Sequence, residues 1–492
     1  LLTSHSAEET AAMNPEYQRL LSNREDLLEM IEGLYNFWRR LERFFYIEAP
    51  KRSMYAKNRL HHAQFIKANE EFKDLVLHVY RSISENVTGQ NPRVYRQLPA
   101  GANIGMLTEK IDWDCPAAYA GLADVPFIRL SLIEPPLIIY PVMNTRKGSF
   151  EETGKVADGT FDIDSGEWFC FPAKVGDLTA FIFFHQDFIS LGLSLSNLFE
   201  IATYEEIDGK RPDLMIAFGL PKDRLAGSTM FYEDKENGML VGMVGHSEEV
   251  DYFGYFKKMT LTLHNIAMLN RGRLPLHGAM AYIKLKDGGS ANVVIVGDSG
   301  AGKSETIEAL RTLAEDHICE MRVIFDDMGS LGINADGRVA GYGTEIGAFV
   351  RLDDLQAGYA YEEIDRSIFM NPHKINSRLV IPITRYEGAG AHVLRQPVRR
   401  AAEARVAREM RRGLLREDVR VGRQGRTDTD AARHRGLRAG GPEGRVDGAV
   451  QDYPRDFEEG RGREVGFTCC GISEGRPAGR PFCFLDSLTC PV

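Results

Sequence analysis

The stretch "NVVIVGDSGAGKSETIEALRTLAED" puts an apolar strand pattern, a glycine-rich turn and a helical pattern in direct succession. Few folds accommodate that order: the turn must leave a strand end and feed the first turn of a helix. Within it, Gly297, Asp298, Ser299, Gly300, Ala301, Gly302, Lys303 and Ser304 fit G-x-x-x-x-G-K-S, with Glu305 directly after. Glycines let successive backbone N–H groups turn inward onto phosphate oxygens, and the helix adds its positive N-terminal end. Lys303 is placed to reach the β- and γ-phosphates, and Ser304 to ligate Mg²⁺. The nucleotide reading is ATP or another nucleoside triphosphate with Mg²⁺. Further on, "VIFDD" ends a strand in Asp326 and Asp327, carboxylates suited to holding the nucleotide's metal ion.

The rest of the chain bounds what that loop can serve. At 492 residues there is room for two or three domains. A content of 43% hydrophobic and 26% charged residues is that of a globular protein. The formal charge of −10 argues against nucleic acid as the main partner, while leaving room for a local basic site. Cys115, Cys170 and Cys319 stand far apart and show neither zinc spacing nor a disulfide framework, which fits a reducing, cytoplasmic setting. The chain opens at Leu1 with no signal-peptide pattern, which leaves a targeting segment upstream open. The most apolar long stretch, "LTAFIFFHQDFISLGLSLSNLF", carries His185, Gln186 and Asp187 in its middle and reads as a core segment, so no membrane span is expected.

Four regions follow from the patterning. Residues 1–90 form a helical segment; "NREDLLEMIEGLYNFWRRLERFFYI" has helical apolar spacing, with Asn23 as its N-cap. Residues 91–250 form an α/β N-terminal domain with strands in "PFIRLSLI", "PPLIIYPV", "LTAFIFFH" and "PDLMIAFGL". Residues 251–390 form the nucleotide-binding domain, with a helix in "FKKMTLTLHNIAMLN" and strands "AMAYIKL" and "ANVVIVG" around a "KDGGS" turn. Residues 391–492 are an irregular arginine-rich tail. From Ala391 to Cys470 there are 18 arginines and no lysine, which suggests a coding stream read out of frame rather than a basic disordered tail.

Tyr252, Gly254, Lys257, Lys258, His277, Ser299, Lys303, Ser304, Asp326 and Asp327 resemble, in order and spacing, the ATP-dependent phosphoenolpyruvate carboxykinase family. "GYGTEIGAFVRL", with Glu345, and "KINSRLVIPIT", with Asn376, Arg378 and Pro382, resemble two further stretches of it. The family's glutamate before the lysine pair is Tyr255 here, and one of its glycines is Phe253. The resemblance implies an α/β fold with a P-loop carboxykinase-like core. It also implies conversion of oxaloacetate and ATP to phosphoenolpyruvate, ADP and CO₂ with two divalent metals, Mg²⁺ and Mn²⁺. One metal would sit on Ser304; the other would be held by Lys258, His277 and Asp327, with the lysine as a neutral amine. The implied catalytic set is Lys257, Lys258, Lys303, Asp326 and Arg378, with Tyr252 and Arg378 on the small carboxylate substrate.

Two alternatives stand beside that reading. "GDSGAGKSE", including Glu305, and "LHGAMA" also resemble HPr kinase/phosphorylase, which implies a protein serine as acceptor. A nucleotide-binding protein without turnover is the third.

Overall fold

The computed structural model describes residues 1–49, 60–95, 100–134, 136–297, 301–303, 306, 307, 310, 317–355, 364–382 and 392–397. Helices α1 (Ala7–Met13), α2 (Pro15–Leu20) and α3 (Arg24–Arg40) lead into strand β1 (Phe44–Ala49) and the long helix α4 (Leu60–Thr88). Then come β2 (Ile104–Glu109), β3 (Phe127–Ile133), β4 (Leu137–Ile139), β5 (Glu151–Glu152), β6 (Trp168–Val175) and β7 (Leu178–His185). Helix α5 (Ile189–Ser194), β8 (Glu200–Ile201), α6 (Tyr204–Ile207), β9 (Leu214–Leu220), β10 (Thr229–Asp234) and β11 (Met239–Gly245) complete the first part. Helix α7 (Phe253–Asn270) opens the second part. It is followed by β12 (Leu274–Leu285), β13 (Ser290–Val296), β14 (Ile318–Ile333) and β15 (Arg338–Gly343). Strands β16 (Gly347–Arg351), β17 (Ile368–Met370), β18 (Arg378–Pro382) and β19 (His392–Pro397) end the described chain.

The architecture is mixed α/β. A large mixed sheet runs β1-β2-β3-β6-β7-β9-β11-β10-β5, with β8 beside β6. Its centre is a parallel run, β7, β9 and β11. These strands read as continuous apolar segments because both faces are covered. One face meets α7, where Phe218 of β9 stacks on Phe256 at 3.8 Å between ring centres; Met259 and Leu263 join the same core. The other face packs Phe181, Phe183, Met215 and Val241 against Trp113, Tyr119 and Leu122.

Helix α3 is capped as its sequence suggests: the Asn23 side chain accepts the Asp26 N–H. Its stripe is only partly covered. Tyr35 stacks on Tyr80 of α4, while Leu34 and Phe37 stay exposed. Among the described residues no helix is long and apolar enough to cross a membrane.

The second part holds an antiparallel sheet, β13-β12-β14-β15-β19. The "KDGGS" turn read between the two strands folds β12 and β13 into an antiparallel hairpin. A smaller sheet, β16-β18-β17-β4, takes β4 from the first part, so the line drawn at residue 250 is crossed by strand pairing. Strand β19 pairs with β15, so the boundary drawn at 390 falls one strand early. The short run His392–Pro397 was overshadowed in the sequence by the arginines around it. The remainder of the tail lies outside the described residues.

Candidate functional site

Helix α7 is buried nearly all round, as a helix between two sheets must be. It contacts β9 and β11 on one side and β12 and β14 on the other. Lys257 sits in this apolar setting with 2% of its surface exposed, so it needs charged partners. It has two: Asp327 Oδ2 at 2.5 Å and Glu345 Oε1 at 3.2 Å. Burial works against the ammonium, yet the two carboxylates outweigh it and raise the Lys257 pKa above that of an ordinary lysine.

Asp327 comes from β14 and His277 from β12. The antiparallel register sets Gly278 opposite Asp327, which brings His277 diagonally across, with its Nε2 3.0 Å from Asp327 Oδ1. Burial alone would raise the Asp327 pKa. Lys257, the hydrogen bond from His277 and the charge of Lys258 reverse this and hold it well below the usual carboxylate range. Asp327 adopts φ of 79°, a left-handed conformation unusual for any residue but glycine. Such strain is maintained where surrounding contacts over-determine the backbone, and it clusters at functional sites.

Glu345 lies just before β16 and is buried. Its contact with Lys257 lacks hydrogen-bond geometry, and both carboxylate oxygens are buried without a hydrogen bond. Burial pushes its carboxyl up to about 8, against the pull of Lys257. Phe349 of β16 forms the floor beside it. Lys257 Nζ lies 5.9 Å from that ring centre and the Arg378 guanidinium 5.4 Å. Arg378 opens β18 and also faces the Tyr252 hydroxyl. Tyr252 is buried, which raises its phenol pKa, while Arg378, Lys257 and Arg146 draw it back.

Strand β13, which leads to Gly297, joins this site through the same sheet. Gly278 pairs with Val296 on one side and with Asp327 on the other. The strand that ends at the loop therefore lies next to the strand carrying His277. A Cβ at Gly278 would come 2.6 Å from the Ile295 carbonyl oxygen, so only glycine allows this approach. Past the loop, the Thr306 N–H bonds the Gly302 carbonyl at 2.9 Å, an i to i−4 bond that begins a helical turn. Lys303 is buried at the start of that turn. Asp298, Ser299, Gly300, Ser304 and Glu305 lie outside the described residues; Gly297, Ala301, Gly302 and Lys303 lie within them.

Of the residues picked out in the sequence, Lys257, His277 and Asp327 are in contact, with Arg378 and Tyr252 alongside. Adjacent helix residues point about 100° apart, so only one lysine of the pair can face Asp327. That residue is Lys257. Lys258 is half-buried and acts on Asp327 and Glu345 through its charge. Asp326 lies opposite Ala279, half-buried. Tyr255, in place of the family's glutamate, anchors a loop: its hydroxyl accepts the Lys147 N–H at 3.0 Å and donates to the Lys147 carbonyl at 3.1 Å.

Sequence reasoning did not assign a role to Glu345 or Phe349. The signal for Glu345 was a lone acidic residue between glycines in an otherwise apolar run. No protein-family model matches the chain, and no curated protein matches it significantly.

Proposed function

We propose that the chain is a nucleoside-triphosphate-dependent phosphotransferase of the carboxykinase type. The observation that carries this reading is the register of three neighbouring strands. Val296, which enters the phosphate loop, Gly278, which follows His277, and Asp327 lie side by side across β13, β12 and β14.

The donor set suits a divalent cation. An imidazole and a carboxylate meet at 3.0 Å, and the oxygens of Glu345 are buried without hydrogen bonds close by. His277 and Asp327 would hold Mn²⁺, and Ser304 the nucleotide's Mg²⁺; Lys258, which the sequence resemblance puts on the Mn²⁺, is not the lysine that faces Asp327. Bound metal would neutralise charge on the phosphates and on the acceptor oxygen. The protein's own part is positioning and charge. Lys303 pairs with the β/γ-phosphates. Arg378, held over Phe349, faces the transferring group or the substrate carboxylate. Lys257 fixes Asp327 and Glu345, and so fixes the geometry of the site. With oxaloacetate, the bond to the departing carboxylate breaks and CO₂ leaves. The electron pair becomes an enolate, and the enolate oxygen takes the γ-phosphoryl group from ATP.

A hydroxyl acceptor is the second reading, favoured by the hydrogen bond between His277 and Asp327. An imidazole oriented by a carboxylate can accept a proton from a serine hydroxyl.

One paired experiment separates the two. The purified chain is assayed with Mn²⁺, ATP and oxaloacetate for phosphoenolpyruvate, beside a labelling screen with γ-labelled ATP against a protein extract. Phosphoenolpyruvate that vanishes in His277→Ala and Lys303→Ala supports the carboxykinase reading. A labelled protein without phosphoenolpyruvate transfers the assignment to the second. Silence in both assays, with ATP still bound, leaves a nucleotide-binding protein and refutes turnover.

A further inference from the structure

The segment "FHQDF", which the phosphotransferase site does not use, carries a cluster of a different kind. His185 ends β7, Asp187 lies in the turn after it, and His246 follows β11. His246 Nε2 is 2.9 Å from Asp187 Oδ2, and His185 Nδ1 is 3.4 Å from the same oxygen. One donor atom from each residue falls within 4.8 Å of the others. We infer that His185, Asp187 and His246 form a second metal site, for a divalent first-row transition ion such as Zn²⁺.

The distances are those of a ligand set. Donors held at about 2.0–2.1 Å around a tetrahedral ion stand roughly 3.4 Å from one another. Two imidazoles and one carboxylate select Zn²⁺ and its transition-metal neighbours over Mg²⁺ or Ca²⁺, which prefer all-oxygen shells.

The proton positions also fit. A backbone N–H can only donate, and the Asp187 N–H points at His185 Nδ1 from 3.2 Å. Nδ1 is therefore the unprotonated nitrogen, on the side where Asp187 and His246 meet. Nε2 keeps its proton and faces Glu167 Oε2 at 3.4 Å. A carboxylate behind a ligating imidazole is the usual support of a metal-bound histidine. An incoming cation takes over the Nδ1 lone pair and displaces one long turn bond.

The fold prepares the site in three ways. Strands β7, β9 and β11 are parallel neighbours, so their C-terminal ends share one edge of the sheet. In open α/β sheets that edge is where ligands bind. Pairing between β9 and β11 shifts at Val244/Gly245, after which the His246 N–H bonds the Leu220 carbonyl at 2.7 Å. Gly219, with φ of 102°, leaves the space His185 occupies: a Cβ there would come 2.8 Å from the His185 Cβ. The rings are braced by aromatic neighbours. Trp168 lies edge-on to His185 at 5.8 Å and Phe188 to His246 at 5.1 Å. His185 is largely covered, with 15% of its side chain exposed, while Asp187 at 57% leaves the solvent side open for a water ligand.

The test is a Zn²⁺ titration of the metal-stripped full chain, read by calorimetry and by native mass spectrometry. Co²⁺ is used in parallel for its visible absorption. His277→Ala serves as the reference, because it lacks an imidazole of the other candidate site and retains this one. The expected result is one Zn²⁺ bound by that reference, with affinity falling about 100-fold in His246→Ala and in Asp187→Asn. The Co²⁺ band of a nitrogen-ligated site should disappear with it. Asp187 is exposed and His246 half-buried, and melting in chelator checks that each variant is folded. Unchanged Zn²⁺ stoichiometry and affinity in either folded variant overturns the site.

Discussion

Lys257 Nζ stands 2.5 Å from Asp327 Oδ2, deep between two sheets, and the same ammonium reaches Glu345 at 3.2 Å. One buried cation thus faces a carboxylate on β14 and another just before β16. Removing it takes the ammonium away from the Asp327 carboxylate at the end of a buried side chain, the costly way to break such an ion pair. Lys257→Met should lower stability by about 3–5 kcal/mol in urea unfolding. Measured above pH 8, where Glu345 would have to carry its charge, Glu345→Gln in the same chain should recover part of that loss. A double variant no more stable than Lys257→Met would show that Glu345 is not coupled to the lysine.

Asp327 combines a charge with a left-handed backbone, and the two can be measured apart. Asn tolerates that conformation and can still bond His277, whereas Ala does neither. Asp327→Asn should therefore exceed Asp327→Ala in stability by roughly 1 kcal/mol or more, although both abolish the carboxylate. In the proposed reaction both variants should lose activity alike. Equal stability of the two would mean that the unusual dihedral carries no strain.

How much of this was readable in the sequence depended on whether the signal was local. The apolar runs that became β7 and β9 were legible because strands buried on both faces are continuous apolar words. Asn23 was legible as a cap because capping acts within one turn. Which lysine of the adjacent pair faces Asp327 was not, since helix phase is set by what α7 packs against. The hairpin of β12 and β13 was legible in the "KDGGS" turn between them, whereas the pairing of β12 with β14 on its other side was not. Asp187 and His246 stand 59 residues apart in sequence, and only strand order brings them together.

His264 gives a pH signature of its own. It lies inside α7 with 1% of its surface exposed, and desolvation lowers its pKa to about 4, against a weak restoring bond with Asn265 at 3.4 Å. Above pH 6.5 the imidazole is neutral in both folded and unfolded chains, and its contribution to stability is fully present. Between 6.5 and about 4 only the unfolded chain takes up the proton, so stability falls as pH falls through this window. The loss should approach roughly 3 kcal/mol at the lower end. Melting temperatures from pH 7.5 to 4.5 should show a shallower decline in His264→Gln than in the unsubstituted chain. Parallel curves would place the imidazole in contact with water.

Gly278 of β12 pairs with Val296, at the end of the strand leading to Gly297, and with Asp327 on its other side. Its missing side chain is what lets β13 lie close against β12, because a Cβ would meet the Ile295 carbonyl oxygen at 2.6 Å, a backbone atom that cannot rotate away. Gly278→Ala should cost about 1–3 kcal/mol by overpacking. It should also displace the strand leading to Gly297 relative to His277. Weakened ATP binding would then accompany the lower melting temperature, even though residue 278 offers no group to the nucleotide. Ile295→Ala, which shortens a half-buried side chain but leaves the backbone contact intact, separates the two effects. It should lower stability and leave ATP affinity unchanged. If both variants lose affinity in proportion to stability, the strand spacing does not govern the loop.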